Sequence, residues 1–126
     1  MKKDKIKSVF FREEISLLSR IDDLVNNKIS TKFSTMMSKL GNTGSVLLDR
    51  SDNPKDLKGY GISIMVRFTA NHRSKATEMQ RLSSTMHSGG EKSVSTALYM
   101  MALQELTKVP FRCVDEINQG AYEYEL

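Results

Sequence analysis

Several residue types that mark common protein classes are scarce in this sequence. Its 126 residues include one cysteine, Cys113, two histidines, two prolines and no tryptophan. One cysteine excludes an internal disulfide framework and a cysteine-rich zinc site, and two histidines add too few ligands for a structural metal centre. No apolar run approaches the roughly 20 residues that cross a bilayer, so we expect no membrane partner. The basic start of the chain is not followed by the apolar segment of a signal peptide.

The charge is unevenly distributed along a chain that has room for one modest domain. Residues 1–87 contain 16 Lys and Arg against 9 Asp and Glu, whereas residues 88–126 contain 3 against 6. A basic N-terminal part could meet a nucleic-acid backbone. Its basic residues alternate with acids, as in Arg12-Glu13-Glu14, which is typical of a solvated helix surface. Charge alone favours that surface and leaves a basic helical DNA-binding module as an alternative.

The first third of the chain predicts a long helix. Residues 5–40 contain neither proline nor glycine, and apolar side chains recur in steps of three and four, at Leu18, Ile21, Val25, Ile29, Phe33, Met36 and Leu40. A helix far beyond the usual length of about 11–12 residues predicts a coiled-coil end that enters a domain, and the alternative is an ordinary amphipathic helix on the domain's own surface. We assign residues 1–40 to this amphipathic helix, expect its apolar stripe to be exposed in the isolated chain, and expect Gly41 to end it as a C-cap.

The remainder, residues 41–126, predicts an α/β unit. Val46–Leu48 is strand-like, and residues 60–68 alternate apolar and polar side chains as a strand does. The two strands could pair as an antiparallel hairpin across the polar loop 49–59. Residues 71–86 are polar without periodicity and predict an exposed connection.

Ser88-Gly89-Gly90-Glu91-Lys92 opens a helix predicted over residues 91–106, whose apolar positions are Val94, Leu98, Met101, Ala102 and Leu106. Glycines let an anion approach the backbone closely, and the N–H groups and dipole at a helix start favour phosphate. Ser88 adds a hydroxyl donor. Taken alone, such a turn is most often an ordinary N-cap.

Beyond Pro110, which stops the helix, Phe111–Glu116 predicts a short apolar strand that ends in two acids. An acid at a strand end can hold Mg²⁺ directly or through water, and its neighbour could act as general base on a water molecule. Asp115 and Glu116 are therefore candidates for these two roles. The alternative is a pair of solvated acids. We expect Cys113 to be a small buried strand residue.

The chain contains, in order, a glycine-rich helix start, a helix, a proline, an apolar strand and Asp-Glu. This order resembles that of the head of an ABC-type ATPase. Residues 87–92 resemble the signature motif of that superfamily, and residues 111–116 its Walker B strand. The spacing between the two is similar to that of the chromosome-maintenance (SMC) branch. Residues 93–106 and 110–120 resemble the fifth eukaryotic class of that branch, for which Asn118-Gln119-Gly120 is distinctive.

The resemblance implies an α/β fold that is the C-terminal half of a P-loop ATPase head, preceded by a coiled-coil helix. Ser88, Gly89, Gly90 and Glu91 would contact the ATP of an opposing head, Asp115 would support Mg²⁺, and Glu116 would position the attacking water. It further implies a heterodimer with the sixth-class SMC protein, a kleisin, winged-helix subunits, a SUMO ligase and DNA. The implied role is recombinational DNA repair and chromosome segregation in the nucleus.

The sequence departs from the SMC pattern in two places. It contains no Walker A loop, because Gly41–Ser45 lacks the lysine and the spacing. After Gly120 the family expects Met-Asp-Pro, whereas this chain has Ala121–Leu126, so the D-loop and a later switch histidine are missing. We therefore expect a fragment truncated after Walker B, and a non-catalytic scaffold remains an alternative.

We predict that the chain alone neither holds ATP tightly nor hydrolyses it. The Walker A loop supplies most phosphate contacts through its backbone and lysine, and Mg²⁺ on a carboxylate pair without phosphates keeps its waters. Titration calorimetry of the purified chain with MgATP tests this, and micromolar affinity would contradict it.

Overall fold

The computed structural model describes residues 2–53, 56–69, 78–111 and 113, with the side chains of the first helix described from Arg12 onward. The chain begins with a helical run and continues with a small sheet and one further helix. Its elements are α1 (Lys2–Asp22), a π-helical segment (Asp23–Ile29), α2 (Ser30–Lys39), β1 (Thr43–Asp49), a 3₁₀ turn (Leu57–Gly59), β2 (Gly61–Arg67), β3 (Gln80–Arg81) and α3 (Gly89–Gln104). The predicted mixed α/β class is confirmed. Among the described residues, no helix combines the length and the apolar character that crossing a bilayer requires.

The predicted long helix is confirmed as a helical run from Lys2 to Lys39, although its middle part is π-helical. Gly41 ends it with a φ of 73°. The Asn42 N–H donates to the Met37 carbonyl at 2.9 Å, and the Gly41 N–H donates to the Ser38 carbonyl at 3.0 Å. These two bonds form a Schellman cap, in which glycine supplies the left-handed residue without a Cβ clash. The division of the chain at residue 40 into an arm and a lobe stays a prediction.

The sheet is antiparallel, with strand order β1-β2-β3. β1 and β2 pair along their whole length, with Val46 opposite Ile64, which confirms the predicted hairpin. The expectation that residues 71–86 form only an exposed connection is wrong at β3, which pairs with Met65 and Val66. A two-residue strand is too short to show an alternating pattern. The Arg81 guanidinium also donates to the Asp49 carboxylate at 2.9 Å, linking β3 to β1.

The core lies between the helical run, the inner face of the sheet and α3. Its buried apolar residues are Val25, Ile29, Phe33, Met37, Val46, Val66 and Ala102. The expectation that the helical stripe is exposed is therefore wrong over its central part, because the sheet and α3 cover it. The stripe continues in steps of four to Met37, whereas Met36 is half-buried and Leu40 is 55% exposed. Phe33 and Met37 both lie in α2, where residues four apart share one face of the helix, so the buried side follows Met37 and not Met36.

Gly44 permits the close contact between β1 and α2. A Cβ at this position would lie 2.6 Å from Cε1 of Phe33 and 3.0 Å from Cγ of Met37. Both neighbours are fully buried, so they have little room to move. The strand therefore needs glycine at the point where it crosses the helix.

The outer edge of β1 is covered by the helical run instead of by another strand. The Val46 N–H donates to Oγ of Ser30 at 3.0 Å, and the Leu48 N–H donates to Oδ1 of Asn26 at 2.8 Å. The two acceptors are four residues apart on the helix, and the two donors are two residues apart on the strand. These two separations are nearly equal lengths, so each donor lies opposite one acceptor. The unpaired donors of an edge strand are thus satisfied within the chain.

Helix α3 packs on α2 through buried Ser95 and Ala102, with an ion pair between Lys32 and Glu105 at its far end. Of its predicted apolar positions, Leu98 packs against the core, whereas Met101 is 52% exposed. The predicted strand Phe111–Glu116 lies largely outside the described residues: Phe111 and Cys113 are described, and both lack regular structure. Cys113 is exposed, which corrects the expectation of a buried thiol, since no described strand encloses it.

Two neighbouring asparagines test the edge-covering bonds. Asn26→Ala removes the half-buried acceptor of the Leu48 N–H together with the bond to Asp22, and we expect the free energy of unfolding to fall by about 1–2 kcal/mol. Asn27→Ala removes only an exposed bond to Asp23, so we expect a change within about 0.5 kcal/mol. Urea unfolding followed by circular dichroism measures both. Equal losses in the two variants would contradict the role assigned to Asn26.

Candidate functional site

The signature turn, defined here as Ser88–Glu91, is built as a capping box at the start of α3. Oγ of Ser88 accepts the Glu91 N–H at 3.3 Å, and Oε2 of Glu91 accepts the Ser88 N–H at 2.8 Å. Ser88 has extended backbone angles and Gly89 is the first helical residue, which confirms the predicted helix start. Apart from the capping box, the helix has no acceptors for the N–H groups of its first turn. The N–H groups of Gly89 and Gly90 can therefore donate hydrogen bonds to an external anion.

Gly90 has no structural requirement for glycine among the described residues. Its φ is not positive, since Gly41 is the described glycine with a left-handed backbone. A Cβ built on Gly90 would meet nothing within 4 Å. Because alanine is favoured over glycine inside a helix by about 0.8–1.0 kcal/mol, the chain gives up stability at this position. The open space over the Gly90 backbone is where a phosphate could approach the N–H groups.

His87 holds the signature turn against the end of β2. Its Nδ1 accepts a hydrogen bond from the Ser83 N–H at 3.3 Å, so the ring is assigned with Nδ1 as its acceptor nitrogen. The ring meets Phe68 edge to face, with centroids 6.3 Å apart. His87 therefore supports the turn and is engaged through Nδ1. Sequence analysis identified Phe68 as a strand residue but not as a support of this turn, because the contact joins residues far apart in sequence.

An open cleft of about 540 Å³ lies beside the turn. It is lined by the end of the helical run, the end of β2 and the start of α3: Leu40, Gly41, Asn42, Phe68, Thr69, Ser88 and Glu91. Thr69 joins the first two walls, because its hydroxyl donates to the Gly41 carbonyl at 2.7 Å and its N–H donates to Oδ1 of Asn42 at 3.0 Å. Asn42 and Thr69 carried no sequence signal for a site, and the fold alone brings them there.

The other candidate residues, Asp115 and Glu116, lie outside the described residues, so their predicted roles stay predictions. Within the part of the chain that the structure describes, no group of three or more His, Cys, Asp or Glu side chains could hold a metal ion. Glu91, the acid of the signature turn, is engaged in the capping box. The described site can thus bind an anion at a helix start, and its chemistry would require groups supplied from elsewhere.

Comparison with known proteins gives relatives over most of the chain. Residues amounting to 86% of the chain are 43% identical to structural maintenance of chromosomes protein 5 of Caenorhabditis elegans. The protein of that name from Arabidopsis thaliana is 46% identical over 74% of the chain, and the one from Schizosaccharomyces pombe is 45% identical over 73%. The matched parts cover 10% of the worm protein and 8% of the plant and yeast proteins. No protein-family model matches the chain.

The chain belongs to the structural maintenance of chromosomes family and corresponds to a small segment of its members. Three members of that family named protein 5 are 43–46% identical to it. Protein 6 of Takifugu rubripes matches more weakly, at 31% identity over 68% of the chain. The resemblance drawn from residues 86–120 is therefore confirmed at the level of the family and its fifth class.

Substitution of Ser88 tests whether the capping box stabilises α3. We expect Ser88→Ala to lower the free energy of unfolding by about 0.5–2 kcal/mol, because the Glu91 N–H loses its acceptor. Ser88→Asp supplies a carboxylate oxygen at the same position and should stay close to the wild-type value. Thermal unfolding followed by the helical circular-dichroism signal measures this order of stability. A Ser88→Asp variant as unstable as Ser88→Ala would contradict it.

Proposed function

We propose that the chain is the C-terminal half of the head of a fifth-class chromosome-maintenance ATPase. In this proposal the signature turn contacts the phosphates of ATP held by an opposing head. The observation that carries it is Gly90: among the described residues nothing requires glycine there, and the space above it is open. A glycine that costs helix stability without serving its own chain is explained by a group that approaches from outside.

The described residues fit an ATP phosphate at the signature turn. The N–H groups of Gly89 and Gly90 and the Ser88 hydroxyl are donors at a helix start, where the dipole favours negative charge. Asp115 would support Mg²⁺, which neutralises phosphate charge, and Glu116 would orient the attacking water as general base. Since the sequence has no Walker A loop, the loop that cradles the nucleotide must come from the other half of the head.

The whole protein in this proposal pairs with the sixth-class SMC protein and works with a kleisin, winged-helix subunits and a SUMO ligase on DNA. Its role is recombinational DNA repair and chromosome segregation in the nucleus. The match to protein 6 of the same family supports a relationship between the two classes. The excess of basic over acidic residues in 1–87 is compatible with DNA as a partner.

A pair of substitutions in the assembled heads tests the proposal. The chain is combined with the missing half-head and a sixth-class partner head, and two quantities are measured: ATP-dependent head dimerisation and phosphate release. Gly90→Ala should stabilise the isolated chain by about 0.5–1 kcal/mol yet abolish dimerisation, because its Cβ occupies the approach to the phosphate. Glu116→Gln should leave dimerisation intact and slow phosphate release by about 10²–10⁴-fold.

Gly44→Ala is the control for a glycine with a structural role. It should destabilise the isolated chain by about 1–3 kcal/mol through overpacking against Phe33, the opposite sign from Gly90→Ala. If Gly90→Ala leaves dimerisation unchanged, the signature turn does not face a shared nucleotide. If the reconstituted wild-type heads release no phosphate at all, the chain acts as a non-catalytic scaffold.

A further inference from the structure

Part of the helical run extends beyond the end of α3. The start of α3 lies beside Leu40 and Gly41, where the helical run ends, and Glu105 after its other end pairs with Lys32. The two helices are therefore antiparallel. The helical run continues for about 45 Å beyond Lys32 toward Lys2. The chain that follows Glu105 thus leaves α3 at the level where this uncovered part of the helical run begins.

The uncovered part presents a helix face, defined here as Leu17, Arg20, Leu24 and Lys28, that combines apolar and basic side chains. These residues follow Lys32 in steps of three and four, so they continue the side on which α3 packs. Leu17 is 47% exposed and Leu24 is 37% exposed. An open cleft of about 440 Å³ lies among the side chains of this face. Two exposed leucines beside open volume favour an occupant with apolar side chains.

The charges on the helix face favour an acidic occupant. Arg20 is exposed and forms no ion pair with any residue that the structure describes. Lys28 approaches Asp23 at 3.8 Å, and both side chains are more than half exposed. The Asp23 carboxylate also accepts a hydrogen bond from Asn27 at 2.9 Å. The face therefore carries two cations and one acid, and that acid is already shared between two donors.

The segment Ala121–Leu126, at which the sequence departs from the SMC pattern, has the complementary chemistry. Glu123 and Glu125 alternate with Tyr122 and Tyr124. Tyrosine buries a large apolar area while its hydroxyl stays in water, and the glutamates supply carboxylates for basic partners. The segment therefore offers both kinds of group that the helix face favours.

The chain between α3 and this segment is long enough to reach the helix face. Residues 106–120 can span up to about 50 Å when extended. Leu24 lies only about 12 Å from Lys32 along the helical run. Six extended residues cover about 20 Å, and the face from Leu17 to Lys28 is about 16 Å long. The segment thus matches the helix face in reach and in length.

We propose that Ala121–Leu126 docks on the helix face, with its tyrosines against Leu17 and Leu24 and its glutamates toward Arg20 and Lys28. Docking removes apolar surface from water and gives Arg20 a carboxylate partner. The covalent connection keeps the segment at a high effective concentration, so weak contacts are sufficient to hold it. The inference depends on the helix face and on the segment's own side chains, and it does not depend on the proposed ATPase function.

Disulfide trapping in the full chain tests the docking. Tyr124→Cys is combined with Leu17→Cys on the helix face, and Cys113→Ser removes the native thiol. The matched control combines Tyr124→Cys with Ile15→Cys, which lines a different cleft of α1 and is 52% exposed against 47% for Leu17. An undocked segment would meet both thiols at similar rates. Docking predicts that the internal disulfide forms at least about tenfold faster with Leu17→Cys.

Charge reversal tests the basic side chain of the helix face. In the Leu17→Cys chain, Arg20→Glu should slow trapping by about threefold or more, because it replaces an ion pair by like charges. Glu123→Arg added to Arg20→Glu should restore the rate. Lys39→Glu is the control, since Lys39 is an exposed cation elsewhere on the helical run, and it should leave the rate unchanged.

Three outcomes overturn the proposal: equal trapping rates at Leu17→Cys and Ile15→Cys, a rate that Arg20→Glu does not change, and disulfide-linked dimers in place of the internal disulfide. The last outcome would assign the helix face to a second copy of the chain. Should Arg20→Glu fail to fold, Glu123→Arg decides, because it leaves every described residue unaltered. A rate that Glu123→Arg does not lower also overturns the docking.

Discussion

Two hydrogen bonds from helix side chains to the edge of β1 are the constraint on which the rest of the fold depends. A sheet of two full strands and one two-residue strand is not stable by itself in water, and an open edge leaves donors unpaired. Ser30 and Asn26 satisfy those donors and fix the distance between helix and strand. With that distance fixed, Gly44 must be glycine, and Phe33 and Met37 fill the space beneath the sheet.

The same arrangement positions the candidate site. Because the end of α2 lies beside the end of β2, Thr69 can form hydrogen bonds with both Gly41 and Asn42. Phe68 then lies where the His87 ring can pack on it, and Ser88, the N-cap of α3, follows His87 directly. The donors of the signature turn are thus held by the helical run and the hairpin, although neither contributes a residue of the motif.

Local signals predicted much of this fold, and contacts distant in sequence account for what was missed. The uninterrupted helical run, the alternation in β2, the glycine cap and the Ser88 capping box are each encoded within a few residues. β3 was missed because two polar residues have no periodicity. Met37 was missed because steps of three and of four residues both fit a helical repeat, so the pattern alone does not decide between Met36 and Met37. The support of the turn by His87 and Phe68 depends on pairing across the fold, which sequence spacing does not reveal.

The ion pair between Lys32 and Glu105 has a consequence for the order in which the chain folds. Its partners are 73 residues apart, whereas β1 and β2 meet across residues 50–60. Closing a longer loop costs more conformational entropy, so the helical run and the hairpin can assemble before α3 docks. The same order governs local opening of the native state, in which the element with few buried side chains detaches at the smallest cost. Helix α3 buries Ser95 and Ala102, whereas the helical run buries Val25, Ile29, Ser30, Phe33 and Met37, so α3 can detach from the core at a smaller cost than that run, with the signature turn attached to it.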